Sequence, residues 1–308
     1  MNHYDIIVLT DHRYLKDSKD TYKHNVFYED ELVVNALKAE GLKASRKAWD
    51  DSEFDWSTTK SILFRSTWDY FDRFEEFSQW LSNVAKQTQL INSERLIRWN
   101  IDKHYLLDLK NNAIHIPETE FIEIGAEWTL KALHDKLNWS ETVLKPCISG
   151  AARHTYKLNT ENLDAHETIF TELIKSEAMM LQPFQHNIVS QGEISMMVFN
   201  GQFTHAILKK AKTGDFRVQD DFGGSVYDYA PTEDEIRFAE HATTGCPELP
   251  LYARVDIFTD NNGKLAVSEL ELIEPELWFR NHPNAANVLA KAVKKKLNAL
   301  SLRGKRND

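Results

Sequence analysis

The sequence has little of what would fix its class at once. Two cysteines in 308 residues, Cys147 and Cys246, make neither a disulfide framework nor a metal-ligand spacing. Cys147 lies on an apolar strand without a matched His and acid, and reads as a small packing residue. No apolar run could cross a bilayer, and no basic segment followed by an apolar core opens the chain; a reducing, cytoplasmic setting is the expectation. Positive charge is short, with 37 Lys and Arg against 47 Asp and Glu and a formal net charge of -10. That balance argues against a nucleic-acid or membrane surface as the main partner, while leaving room for local phosphate pockets. Glycine is sparse at 11 residues, and neither an internal repeat nor a low-complexity tract is visible. The length suffices for two or three compact lobes.

Over the first third, β-prone runs at residues 4–10, 42–49, 61–64 and 89–92 alternate with helical apolar spacing at 27–40, which Gly41 stops, and at 72–86. Such alternation predicts a small doubly wound α/β unit. Ligands of such sheets sit beyond the carboxyl ends of the strands, which places Asp11, Arg65 and Asp69 near a substrate crevice. Further on, Asp102-Lys103 opens a helix, where a lysine opposes the helix dipole and is better placed if it reaches an anion. Lys145 ends the apolar strand 141–145 and needs a partner, for which phosphate is one candidate. The residues that follow, Ser149-Gly150-Ala151-Ala152-Arg153, could fold back over that phosphate with backbone N–H groups. Gln182 and Phe184 offer a polar handle and an aromatic face, which an adenine ring could use. Glu193, at the entry of strand 194–199, is placed for ribose hydroxyls or for solvent. Asn200-Gly201 then predicts a tight hairpin into strand 203–208. Residues 212–225 form a polar loop of lid length with Arg217, Gly223 and Gly224. Thr232 with Glu235 forms a capping box, and residues 283–300 close the chain as a basic amphipathic helix.

The stretch Arg254–Pro275 concentrates the chemistry. Two β-prone runs flank Asn262-Gly263, a strong signal for a hairpin with a two-residue turn. Antiparallel pairing about that turn puts Asp256 opposite Glu269 and Arg254 opposite Glu271. Three carboxylates and a guanidinium then share one face, which Phe258 and Val267 continue, while Val255, Ile257, Leu270 and Leu272 fill the other. Facing carboxylates roughly 4.5–5.5 Å apart at Cβ repel unless a cation offsets them. Clusters of this kind are ion-paired or hold a metal, and hard oxygen donors beside a phosphate suit Mg²⁺.

The order of these signals is more specific than any one of them. The succession Asp102-Lys103, Leu144-Lys145-Pro146, Gln182-Pro183-Phe184, Gly192-Glu193, Arg254-Val255-Asp256 and Glu269-Leu270-Glu271 resembles the ATP-grasp superfamily. It is similar to the branch near glutathione synthetase and the D-alanine–D-alanine and D-cycloserine ligases. The resemblance implies an N-terminal doubly wound α/β pre-ATP-grasp domain (1–98), a small ATP-grasp lobe (99–185) and a large lobe with the metal and catalytic site (186–308). It implies an ATP- and Mg-dependent carboxylate–amine ligase that works through an acyl phosphate on a small amino-acid or peptide-like substrate. A small-molecule kinase on the same scaffold and a nucleotide-binding module without turnover are the alternatives. By position, Lys103, Lys145 and Gly150 would hold ATP phosphates, Gln182 and Phe184 adenine, and Glu193 ribose. Asp256, Glu269 and Glu271 would bind two Mg²⁺ ions, or Mn²⁺. Arg254 would stabilise an oxyanion. Arg217 with Gly223 and Gly224 would cover the substrate, and Arg65 would take its carboxylate. The expected partners are small molecules and, in a homodimer, a second copy. The chain departs from the family pattern in carrying Glu271 where relatives commonly have Asn, and in an additional Glu274 before Pro275.

Overall fold

The computed structural model describes residues 3–150, 152–212, 214 and 223–304. Strands β1 (Ile6–Thr10), β2 (Ala44–Ala48), β3 (Ser61–Ser66) and β4 (Gln89–Ile91) form a parallel sheet in the order β2-β1-β3-β4. Alternate residues of a strand point to opposite faces, and both faces here are covered. Ile6 and Val8 pack with Val33 and Leu37 of α1 (Thr21–Ala39). Ile7 and Leu9 join Trp49, Phe64 and, from α2 (Phe74–Val84), Phe77 and Leu81. Helix α1 begins where the Asp20 side chain accepts the Lys23 N–H at 2.9 Å, and ends just before Gly41. This is the doubly wound unit expected from the sequence.

Helices α3 (Glu94–Ile101) and α4 (Tyr105–Asn111) follow. A second, antiparallel sheet has the order β5-β8-β6-β7, built from β5 (Glu120–Ile122), β6 (Glu141–Pro146), β7 (Tyr156–Asn159) and β8 (Met179–Pro183). Helices α5 (Leu130–Leu137) and α6 (Leu163–Leu173) supply Leu130, Leu133 and Phe170 to the core it shares with Leu144 and Leu158. After α7 (His186–Gln191), a third sheet runs β11-β10-β9-β12-β13. Its strands are β9 (Glu193–Phe199), β10 (Gln202–Lys210), β11 (Ser225–Tyr229), β12 (Tyr252–Thr259) and β13 (Leu265–Glu271), all antiparallel. Helix α8 (Glu233–Thr244) begins at the expected capping box of Thr232 and Glu235 and packs Ala239 and Ala242 against this sheet. Helix α9 (Asn284–Gly304) returns to the first unit, where Leu289 and Val293 share the core of Val33 and Leu37. Among the described residues no helix is long and apolar enough to cross a membrane.

The expected division at 98/99 falls inside α3. Leu96, Leu106 and Leu109 pack in the core of the third sheet, where Met180 and Cys147 of the second join them, because the apolar face of α3 and α4 covers an edge that sequence order does not reveal. Helices α5 and α7 and strand β11 were not anticipated.

Candidate active site

The hairpin of β12 and β13 pairs Asp256 with Glu269 and Arg254 with Glu271, as the sequence predicts, but by another route. The loop has three residues, 261–263. The Asp260 N–H donates to the Lys264 carbonyl at 2.8 Å, and Gly263 takes the left-handed φ of +79° that closes such a turn. This shifts the register by one, so that Phe258 faces Ala266 and Ile257 faces Val267. A bulge at Ser268 shifts it back before Asp256. Val267 consequently turns into the core with Val255, Ile257 and Leu270, a correction to its expected place on the carboxylate face. Ser268 takes that face instead, its hydroxyl donating to Glu193 at 2.6 Å.

Strand β13 is at the edge of its sheet, yet its outer backbone groups are paired. Asn100 of α3 donates from Nδ2 to the Leu270 carbonyl and accepts the Leu272 N–H, both at 2.7 Å. The Tyr105 hydroxyl accepts the Leu270 N–H at 2.9 Å, and the His115 carbonyl accepts that of Val267 at 2.9 Å. These bonds fix the backbone that presents Glu269 and Glu271.

Oxygens of Asp256, Glu269 and Glu271 lie within 4.8 Å of one another. Cations meet each of them. Arg254 donates to both oxygens of Asp256 at 2.8–3.2 Å and to Glu271. The buried Lys209 reaches Asp256 at 2.9 Å and Glu193 at 2.7 Å, and the Ser195 hydroxyl donates to Asp256 at 2.6 Å. Burial alone would raise the Asp256 carboxyl, but Arg254 and Lys209 hold it well below its usual range. Burial likewise works against the charge on Lys209, which Asp256 and Glu193 more than restore. Glu271 is different: burial, reinforced by Glu269 and Asp256 against the opposing Arg254, pushes its carboxyl up to about 8. Asp256 is thus saturated with donors, whereas the surroundings of Glu271 disfavour its negative charge until a further cation is added.

Across a cleft of about 490 Å³ stand the residues expected to meet a nucleotide. Lys103 donates from Nζ to the Ser149 carbonyl at 2.7 Å and lies 3.2 Å from Glu269. The Lys145 ammonium on β6 has no hydrogen bond or ion pair among the described residues, and burial lowers its pKa despite Glu269 nearby. Gln182 donates to the Thr119 hydroxyl at 2.8 Å. The Lys157 ammonium lies 3.6 Å from the centre of the Phe184 ring. Gly150 lines the cleft where a Cβ would come within 2.5 Å of the Phe71 ring. Lys103, Lys145, Gly150, Gln182, Phe184, Glu193, Arg254, Asp256, Glu269 and Glu271 all line this one cavity.

Other expected residues do not. Arg65 is enclosed, donating to the Pro275 carbonyl at 2.7 Å beside Glu29 and Asp30, and its guanidinium lies over the Phe279 ring. It ties the first unit to the segment after β13 and does not face the cleft. Asp11 is taken up by Arg13, and Asp69 by Arg73 and the Trp49 indole. Gly223 and Gly224 precede β11, Gly223 beside the Lys212 side chain, and are not part of the cavity wall. Arg217 lies outside the described residues.

Residues 6–92 match the family described as the N-terminal domain of D-cycloserine synthetase DcsG. The cycloserine biosynthesis protein DcsG of Streptomyces lavendulae is 29% identical over 293 residues, covering 88% of this chain and 94% of that protein. The crystal structure of D-cycloserine synthetase DcsG aligns with a TM-score of 0.83 at 26% identity, over 95% of this chain and 99% of that one. The chain is an ATP-grasp ligase. The ligase shares its fold with the D-alanine–D-alanine ligase of Bacillus anthracis, at 14% identity and a TM-score of 0.66 over 98% and 99% of the two chains. It is an ATP-dependent enzyme that joins a carboxylate to an amine through a C–N bond.

Sequence reasoning missed one buried member of the ligase's site, Lys209. Its register partner is Glu193, because a bulge at Thr204 shifts β10 by one against β9. Gly192, at φ +97°, admits this approach, since a Cβ there would meet the Lys209 carbonyl at 2.6 Å. The ligase also lines its cleft with Arg13, Tyr14, Tyr22, Trp68 and Tyr70 from the first unit. Their position after β1 and β3 was the available signal.

Proposed function

We propose that the ligase phosphorylates a substrate carboxylate with ATP and passes the acyl group from the resulting acyl phosphate to an amine, releasing ADP and phosphate. The reading rests above all on Lys145, a largely enclosed lysine without a partner, facing Glu269 across the cavity that also holds Lys103. A buried ammonium without a counter-charge is costly, and a bound phosphate removes that cost. In this reading Lys103 and Lys145 hold the phosphates, with backbone groups near Gly150. Gln182 and Phe184 frame the adenine and Glu193 meets the ribose. Glu269 and Glu271, with Asp256 behind them, hold two Mg²⁺ or Mn²⁺ ions, which supply charge neutralisation for the triphosphate. Arg254, anchored by Asp256, is oriented to stabilise a developing oxyanion. Arg217 and the Gly223-Gly224 turn are assigned to the substrate-covering loop. The three-part division of the chain is kept, with its first boundary moved to the link before α3.

The substrates are proposed to be small amino-acid derivatives, and the likeness to D-cycloserine synthetase adds to the candidates molecules that carry both reacting groups. The test is ADP release from Mg-ATP across acid and amine pools, with free phosphate measured alongside. Equal amounts of ADP and phosphate with a new conjugate by mass spectrometry are expected. ADP with a phosphorylated product and no free phosphate would make the protein a kinase, and no ADP in any pool would refute turnover.

A further inference from the structure

The cleft does not end at the three carboxylates. Beyond Glu271 it continues between the segment after β13 and the first unit, lined by Arg13, Tyr14, Trp68, Tyr70, Glu274 and Glu276. The charged groups there differ in what already holds them. Arg13 spans both oxygens of Asp11 at 2.6–3.1 Å, and Glu276 is paired with Arg280. Glu274 has no ion-pair partner among the described residues; the Tyr70 hydroxyl, its own backbone N–H and the more distant charge of Lys103 favour its carboxylate without matching the burial. Burial accordingly lifts it to about 7. Nor does it belong with the carboxylates that gather within 4.8 Å of one another, which are Asp256, Glu269 and Glu271.

Aromatic side chains, Tyr14, Trp68 and Tyr70, line the same end of the cleft. The Trp68 indole N–H donates to the Glu274 carbonyl at 2.8 Å, which fixes the ring beside it. Tyr14 meets Trp68 edge-on with ring centroids 5.5 Å apart. A carboxylate without an ion-pair partner, at a cleft end that aromatic rings also line, is attractive to an ammonium on two counts. Coulomb attraction to the acid and the negative face of the rings act together, and both strengthen as water is excluded. The same surroundings disfavour a second carboxylate, which would meet Glu274 and Glu276.

We propose that Glu274, Tyr70 and Trp68 form the subsite that receives the amine-bearing substrate as its ammonium ion, a small primary amine held at the cleft end next to Glu271. This rests on the ligase reading above and adds the place and the charge of the amine.

The test uses n-propylammonium chloride as probe and n-propanol as its neutral counterpart, titrated by ligand-observed NMR in the presence of Mg²⁺ and a non-hydrolysable ATP analogue. Wild type is expected to bind the ammonium in preference to the alcohol. Glu274→Gln, which keeps the size of the side chain, is expected to bind the ammonium about tenfold more weakly, the scale of one lost charge-assisted contact. Trp68→Leu should weaken it about threefold, and decides the matter if Glu274→Gln fails to fold. The proposal is overturned if the alcohol binds as well as the ammonium, if wild type binds neither, or if the folded variants bind the ammonium as wild type does. Turnover separates this from the ligase reading. Amine-dependent ADP release with an unchanged amine KM in Glu274→Gln sinks the subsite and leaves the ligase. Discriminating ammonium binding with no ADP release in any arm sinks the proposed reaction and leaves the subsite.

Discussion

Replacing Lys209 with methionine tests the reading of the ion cluster most directly. Lys209 is 4% exposed, and methionine nearly conserves its volume, so a cavity contributes little. The change removes one cation from two buried acids at once. Asp256 keeps both contacts from Arg254 and the Ser195 hydroxyl. Glu193 keeps only the Ser268 hydroxyl among the described residues, so most of the loss falls there. Breaking a buried pair costs about 3–5 kcal/mol, and the retained partners of Asp256 place the expected loss at the low end, about 3 kcal/mol. Urea unfolding at pH 7, followed by fluorescence and far-UV circular dichroism, measures it. Adding Glu193→Gln should return about 1–2 kcal/mol, because the second change removes the charge left uncompensated. A single-variant loss below about 1 kcal/mol, or a double variant equal to the sum of the two singles, would refute the claim that Lys209 neutralises Glu193.

Asn100→Ala leaves the Leu270 carbonyl and the Leu272 N–H unpaired in the interior, and should cost about 2–5 kcal/mol by the same unfolding assay; a loss under about 1 kcal/mol would show that other groups satisfy them. Burial, only partly opposed by the hydrogen bond with the Leu277 carbonyl, lowers the His205 pKa from 6.5 to about 4. The unfolded chain therefore takes up this proton first as pH falls, and stability drops between pH 6.5 and 4; from pH 7 to 5 wild type should lose about 2 kcal/mol more than His205→Gln, and equal losses would show that His205 is not held neutral. Glu271→Gln should keep nucleotide affinity within a few-fold while lowering turnover by about 10²-fold or more; unchanged turnover would remove Glu271 from the reacting centre. Lys145→Met should weaken ATP binding about tenfold or more without destabilising the apo protein, and a lower unfolding midpoint in the variant would point to an unrecognised partner.

The hairpin of Arg254 to Glu271 was legible because both its turn signal and its paired carboxylates are local. Its register came out as expected for a reason the sequence does not display: the loop is one residue longer than a two-residue turn, and the bulge at Ser268 cancels the shift. The turn at Asn200-Gly201 shows the opposite case. It does form with both residues at positive φ, and simple counting from it sets Leu208 opposite Glu193. The bulge at Thr204 brings Lys209 there instead, so the most deeply buried lysine of the site was invisible to alternation. Arg65 failed for a different reason. Its place at a strand end was read correctly, but Glu29 and Asp30 from α1 and the Pro275 carbonyl claim its guanidinium, and such long-range partners leave no periodic trace. Lys103, Lys145, Gln182 and Phe184 were expected together because each puts a polar or aromatic group where its own strand or helix gives it no reason to be, and all four line the one cavity.

Backbone carbonyls of the second sheet's segments are held at both ends of the cleft. At one, the Lys103 N–H donates to the Cys147 carbonyl at 2.9 Å, while Asn100 and Tyr105 on either side clasp β13. At the other, Asn261 in the hairpin loop donates to the Phe184 carbonyl at 2.8 Å. Met180 of β8 and Cys147 just after β6 also share the buried core of the third sheet. The wall that carries Lys145 is therefore tied to the wall that carries Glu269 by apolar packing as well as by hydrogen bonds, and a change in the width of the cleft has to disturb that shared core.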